Sequence, residues 1–157
     1  VRTLNHAEAE YWRSLSGNVR VDWSPKILGF ECGGQQWVSE VCLPAGTIDQ
    51  PTLQDIDYVT SLLSLIEEEG IPAPCPIEQR WTAPSSSPLS PAYSTNPSAL
   101  YSWVGIVMYL DPQSDEHRAQ VTSTFRSYEK LSREKLWDTY DAVPHWAKVE
   151  VQATASD

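Results

Sequence analysis

The sequence is short of basic residues: Lys and Arg together number 11 against 21 Asp and Glu, a net charge of −10. No stretch concentrates enough Lys or Arg to reverse that sign locally. Phosphate backbones and anionic lipid are repelled over most of such a surface, so nucleic acid is not an expected partner. Long apolar runs are missing as well. The longest, LYSWVGIVMYL at 100–110, falls well short of the ~20 residues that span a bilayer and is interrupted by Ser102 and Gly105. It reads as a buried strand. The amino-terminal VRTLNHAEAEYW lacks a basic region followed by an apolar core, so any targeting segment is expected to have been removed or to lie outside this chain.

Several motifs are absent. There is no glycine-rich phosphate loop, and Gly33-Gly34 follow a strand-like run without opening a helix, so a nucleotide site within this chain is not expected. Ser85, Ser86 and Ser87 are not accompanied by a GxSxG elbow, which argues against a serine hydrolase. The three cysteines, Cys32, Cys42 and Cys75, show no CxxC spacing. No metal site is expected, and free thiols in a reducing compartment are the simplest reading. The glycine after Cys32 permits a tight turn that could expose its sulfur; a buried inert thiol is the commoner fate. No internal repeat is visible.

What is present fits one soluble globular domain. The 157 residues are 41% hydrophobic and 20% charged, enough to bury roughly two thirds of the unfolded surface. Residues 19–43 alternate β-branched and aromatic residues and predict two or three strands, the last near Gln36 to Leu43. Pro51 suits a first helical turn, and Leu53, Ile56, Val59, Leu63 and Ile66 recur at helical spacing until Gly70, Pro72 and Pro74 end the element. Glu67, Glu68 and Glu69 in its last turn oppose the helix dipole and predict a solvated face. A strand is expected over Pro76 to Ala83, followed by fifteen residues rich in Ser, Pro and Asn, a loop of the length that is usually functional or disordered. Tyr101 to Leu110 is the clearest strand.

Gln113 to Ala142 reads as helical, with Val121, Phe125, Tyr128, Leu131, Leu136 and Tyr140 on one face and a break near Leu131-Ser132. A short final strand is expected over His145 to Val151. The organisation predicted is an α+β domain over residues 1–151, a largely antiparallel sheet with helices on one face, and a frayed tail at 152–157.

Two polar constellations are candidates for chemistry. In CPIEQRW, Glu78 and Arg80 sit two apart, so on a strand they share one face about 6.6 Å apart. Such a pair is commonly a solvated ion pair worth about 0–1 kcal/mol. The alternative is one wall of a polar site that recognises hydroxyls and stabilises negative charge. In His145-Trp146-Ala147-Lys148, strand alternation would place His145 and Lys148 on opposite faces, so the two need not act together.

GFECGGQQWVSEVCLPAG at 29–46, PCPIEQRWTAPSSSPLSPAYS at 74–94, LYSWVGIVMYL at 100–110 and PHWAKVE at 144–150 together resemble the L-galactono-1,4-lactone dehydrogenase family. That family lies in the aldonolactone oxidase branch of the vanillyl-alcohol oxidase flavoproteins. The likeness covers nearly the whole chain in one order. It implies a cap-like domain over a flavin, with the FAD-binding domain absent from this chain, which stops soon after HWAKVEV, before the family's C-terminal helix. It implies oxidation of a sugar lactone on the way to ascorbate, with FAD as hydride acceptor, cytochrome c as electron acceptor and a mitochondrial setting at the inner membrane or intermembrane space.

By the same resemblance Glu78 is the substrate-binding acid, Arg80 the electrophilic arginine that also stabilises reduced flavin, Lys148 a substrate contact, His145 a flavin neighbour, and Cys32 a redox-sensitive thiol. FAD is not expected to be held by this chain alone; a flavin-binding domain or partner chain would supply it. Two functional classes follow. One is the substrate portion of the enzyme. The other is a non-catalytic cap-like subunit or assembly factor associated with respiratory complex I.

Overall fold

The computed structural model describes residues 2–14, 35–73 and 76–148, together with Val21 and Trp23. Helix α1 spans Arg2–Ser14, strand β1 Gln36–Thr47, helix α2 Gln54–Glu68, strand β2 Ile77–Thr82, strand β3 Ala99–Tyr109 and helix α3 Asp115–Ser132. A π-turn over Arg133–Trp137 and a 3₁₀ turn over Asp138–Tyr140 then lead into a two-residue strand β4, Val143–Pro144. The four strands form one sheet in the order β2-β3-β1-β4, and every pairing is antiparallel. The α+β class, with helices on one sheet face, is as the sequence predicts. The strands expected between residues 19 and 34, Cys32, Cys75 and the tail lie outside the described residues.

Alternation along β1 and β3 decides which face is covered. Val41 and Leu43, with Val104, Ile106 and Met108, point to one side and pack against Tyr58, Leu62, Leu65, Phe125, Tyr128, Leu136 and Trp137. Leu62 and Leu43 are fully buried, and each such side chain contributes about 1.5–3 kcal/mol of transfer free energy. The opposite side carries a second, smaller cluster of Cys42, Ala92 and Trp103, with Tyr101 against it.

Several expectations about the helices change. α2 starts at Gln54 rather than at Pro51, because Pro51 is held in a bridge with Gly46, at the irregularity of the β1–β3 pairing between Pro44 and Thr47. Its buried face is Asp55, Tyr58, Leu62, Leu65 and Ile66, whereas Leu53 and Ile56 are exposed. Of the predicted positions Val59, Leu63 and Ile66 do pack on the core, beside Tyr58, Leu62 and Leu65. The helix at 113–142 begins at Ser114, whose hydroxyl accepts from His117 N at 3.2 Å. It does not break at Ser132. It widens there into the π-turn, whose altered winding buries Leu136 and Trp137 side by side. Glu69 is not merely solvated, since it pairs with Lys135.

The serine-rich segment at 83–98 is ordered by its own side chains. Ser85, Ser90 and Ser94 hydroxyls accept from the backbone N–H of Ser87, Ala92 and Asn96, and the Asn96 side chain accepts from Ser98 N. Small hydroxyls standing in for backbone acceptors let an irregular segment satisfy its amides. Ala92 thereby seats beside Cys42 and Trp103.

Candidate functional site

The site lies on the sheet face opposite the helices. In the strand register, Glu40, Gly105 and Glu78 make one row across β1, β3 and β2, and Cys42, Trp103 and Arg80 make the next row on the same face. Gly105 has no side chain between the two carboxylates: a Cβ there would lie 3.7 Å from Glu78 Cβ and 3.9 Å from Glu40 Cγ.

Glu78 and Arg80 do share a face, but Arg80 is paired elsewhere. Its Nε donates to Glu40 Oε1 at 2.7 Å and its NH2 to Glu40 Oε2 at 2.9 Å. Glu40 stands two strands away, about 9.6 Å by strand spacing, and the guanidinium reaches it by lying over the Trp103 ring, 4.6 Å from the centroid. The indole is anchored in turn, with Nε1 donating to Thr82 Oγ1 at 2.9 Å. The bidentate bond to a carboxylate raises the Arg80 pKa above its ordinary value, against a smaller opposing effect of burial, so the group is a permanent cation. Glu40 is buried, while the Arg80 side chain remains 52% exposed. Two of its five N–H donors are used and the rest are free of Glu40.

Over 145–148 a turn stands where a strand was expected, which changes the reading of His145 and Lys148, while residues 149–151 of that strand lie outside the described residues. β4 stops at Pro144, His145 N donates to Glu40 O at 2.8 Å, and Lys148 N donates to His145 O at 2.8 Å. That chain reversal cancels the alternation predicted for a strand and brings the Lys148 ammonium to 3.9 Å from Glu40 Oε2. The His145 ring packs on Trp103 with centroids 5.4 Å apart. Its Nδ1 accepts from Ala147 N at 3.2 Å, so the neutral ring carries its proton on Nε2. Arg80 and Lys148 are thus gathered on the Glu40 carboxylate and His145 on its main-chain carbonyl, with exposed Glu78 in the same row as Glu40 beyond Gly105.

Glu40 and Trp103 were not singled out from sequence. A signal was there for Glu40, the sole charged residue of QWVSEVCLPAGT, on the side of the strand opposite Val41 and Leu43. Cys42 is the described thiol of this face. It is 1% exposed, and burial, with the Glu40 charge nearby, pushes its pKa up to about 12. It is a neutral, inert thiol at physiological pH.

The arrangement offers N–H donors and positive charge from Arg80 and Lys148 beside the exposed carboxylate of Glu78, backed by one buried acid and an aromatic floor. It suits a ligand with hydroxyls and a carbonyl or developing negative charge. The fold is an α+β domain, an antiparallel sheet with helices on one face, as fits a flavoenzyme cap. The chain belongs to the D-arabinono-1,4-lactone oxidase family, whose match runs over residues 2–156. It is 53% identical over 151 residues to the mitochondrial L-galactono-1,4-lactone dehydrogenase of Arabidopsis thaliana, covering 96% of this chain and 25% of that protein. It is 55% identical over 148 residues to L-galactono-1,4-lactone dehydrogenase 2, mitochondrial, of Oryza sativa subsp. japonica, covering 94% and 25%. The Brassica oleracea enzyme of the same name is 53% identical over 151 residues. The chain spans about a quarter of the length of these relatives.

Proposed function

We propose that this chain is the substrate-side portion of an FAD-dependent aldonolactone dehydrogenase acting on L-galactono-1,4-lactone in mitochondria. The observation that carries the reading is the convergence of Arg80, Lys148 and His145 on Glu40, in a family whose relatives bear that activity in their names.

The residues present fit the flavin and lactone by the chemistry of their donors. A half-exposed guanidinium and an ammonium on one buried acid leave unused N–H groups, which suit a carbonyl or an anionic ring system. FAD, when bound, supplies the hydride acceptor that no side chain can be. Arg80 holds fixed positive charge where negative charge develops, and the exposed Glu78 carboxylate accepts hydrogen bonds from substrate hydroxyls. Lys148 contributes a second donor to the lactone. His145 lies on the flavin side. The flavin is expected from the remainder of the polypeptide or a partner chain, with cytochrome c taking the electrons, ascorbate as the eventual product and the inner membrane or intermembrane space as the location. Cys32 is the oxidation-sensitive thiol of this reading.

The test is Arg80→Ala in the full-length, flavin-loaded protein, assayed with L-galactono-1,4-lactone and cytochrome c. Loss of about 10²–10³ in kcat is expected, the effect of removing one preorganised charge-stabilising donor. Unchanged kcat would remove Arg80 from the chemistry, whereas no lactone oxidation by the flavin-loaded parent would overturn the function and favour the non-catalytic role beside respiratory complex I.

A further inference from the structure

We propose that Glu40 is a positioning residue that aims Arg80 and gathers the His145–Lys148 turn onto the same site. This rests on the function proposed above, and it assigns the part played by a residue that is expected to touch neither lactone nor flavin.

One residue joins three separate segments. Through its side chain it takes both prongs of the Arg80 fork at 2.7 and 2.9 Å, and it lies 3.9 Å from Lys148 Nζ. Through its main chain it accepts from His145 N at 2.8 Å. It can do this because β1 runs between β3 and β4, so residue 40 is flanked by Gly105 on one side and by the end of β4 on the other. Gly105 puts no side chain between Glu40 and Glu78, with Glu40 Cγ 3.9 Å from where a Cβ would lie, and the carboxylate turns to Arg80 in the next row.

The consequence for Arg80 is geometric. A guanidinium on a flexible stem has many rotamers, and a solvated arginine would lose them each time it met a ligand. Here the plane is set twice, by the two-pronged carboxylate and by the Trp103 face 4.6 Å from its carbon. The ordering cost is met on folding, and the unused N–H groups keep one direction before any ligand arrives. The electrostatic consequence is equally specific. Arg80 and Lys148 bring two positive charges, Glu40 offsets one, and exposed Glu78 is left to serve hydroxyls rather than to neutralise the arginine.

The experiment compares Glu40→Gln and Glu40→Asp in the full-length flavin-loaded protein, with two readouts. The first is the rate at which phenylglyoxal, an arginine-selective dicarbonyl, modifies Arg80 in the absence of substrate, followed by peptide mass spectrometry with the other arginines as internal controls. The second is kcat and KM for the lactone. Glu40→Gln keeps the shape but loses the charged fork, so Arg80 alone should be modified several-fold faster while kcat falls about 10- to 100-fold. Glu40→Asp keeps the charge but is one methylene too short, and it should resemble Glu40→Gln.

Arg80 modification unchanged in Glu40→Gln would overturn the inference whatever happens to turnover. So would full recovery of kcat in Glu40→Asp, which would make Glu40 a charge and not a guide. A uniform rise in modification of all arginines with a lowered melting temperature would reduce it to a folding contact. Failure of the lactone dehydrogenase reading shows separately, as no lactone oxidation by the flavin-loaded parent protein.

Discussion

Trp81 and Asp55 are joined by a hydrogen bond in which the indole Nε1 donates to Asp55 Oδ2 at 2.9 Å, tying the edge strand β2 to the first turn of α2. The same oxygen accepts from Gln79 Nε2 at 2.9 Å, and Gln79 also donates to Ser102 Oγ at 3.0 Å. The other Asp55 oxygen accepts from Ile56 N at 2.9 Å, where the helix dipole favours negative charge. Asp55 is 4% exposed although it is an acid on a helix face, because its acceptor sites are taken.

Asp55 is therefore a stability determinant. Asp55→Ala should cost about 2–4 kcal/mol, since it strands the Gln79 and Trp81 donors together. Asp55→Asn replaces one acceptor oxygen by a donor and should cost about 1–3 kcal/mol. Chemical denaturation of the chain checks both. A loss under about 0.5 kcal/mol, the level of an ordinary surface change, would refute the network's role.

Gly46 and Gly105 should respond oppositely to alanine. At Gly46, φ is +82° and a Cβ would lie 2.3 Å from Gln50 O and 2.9 Å from Thr52 N, both backbone atoms that cannot give way cheaply. Gly46→Ala should lose more than about 2 kcal/mol. At Gly105 the nearest atoms stand 3.7–3.9 Å off, so Gly105→Ala should stay within about 1 kcal/mol of the parent. Paired thermal melts decide the matter, and equal losses would contradict the geometry.

Leu62 sits at 0% exposure between the helices and the sheet. Leu62→Ala should cost about 2–5 kcal/mol, because the rigid β1–β3 sheet cannot collapse into the space. Leu53→Ala, at an exposed position of the same apolar pattern, should stay within about 0.5 kcal/mol. The contrast tests which stripe of α2 faces the core.

Stability should fall in alkali. Burial raises the Cys42 pKa to about 12 from a model-compound value of 9.0, and it raises those of Tyr58 and Tyr128 as well. A group that must lose a proton in the unfolded chain, but keeps it when folded, stabilises the fold fully below its unfolded pKa. That stabilisation is lost as pH climbs toward the folded value. The free energy of unfolding should decline by about 1.4 kcal/mol per pH unit for each such group, from about pH 9 for Cys42 and from about pH 10 for Tyr58 and Tyr128. Denaturation midpoints measured from pH 7 to pH 10.5 give the slope, and a flat profile would mean that the thiol and phenols are solvated. Consistently, Cys42 should resist iodoacetamide at pH 8 until the chain unfolds.

Local features were legible in the residues because they depend on neighbours in sequence. The continuous apolar run at 100–110 became β3, the stops at Gly70 and Pro72 ended α2, and the face carrying Phe125, Tyr128 and Leu136 was the buried face of α3 and its π-turn. α1 had no comparable signal and was not anticipated. The α+β class followed from the order of these elements. The family motifs, each a short contiguous string, likewise named Glu78, Arg80, His145 and Lys148 as residues worth attention.

Which of those residues meet is a different kind of fact. Glu40 and Arg80 are 40 positions apart, and their contact requires β3 to lie between β1 and β2 in one particular register. A slip of a single residue would turn every side chain of a strand to the other face. Periodicity gives the faces of a strand but not its partners. The His145–Lys148 turn is a second case: its residues could continue β4, yet the pairing with β1 goes no further than the bond from His145 N to Glu40 O, after which the backbone reverses and Lys148 N is satisfied on His145 O. Short-range propensity chose the helices and strands, while long-range hydrogen bonds, whose energies depend on atoms far away in the chain, chose the site.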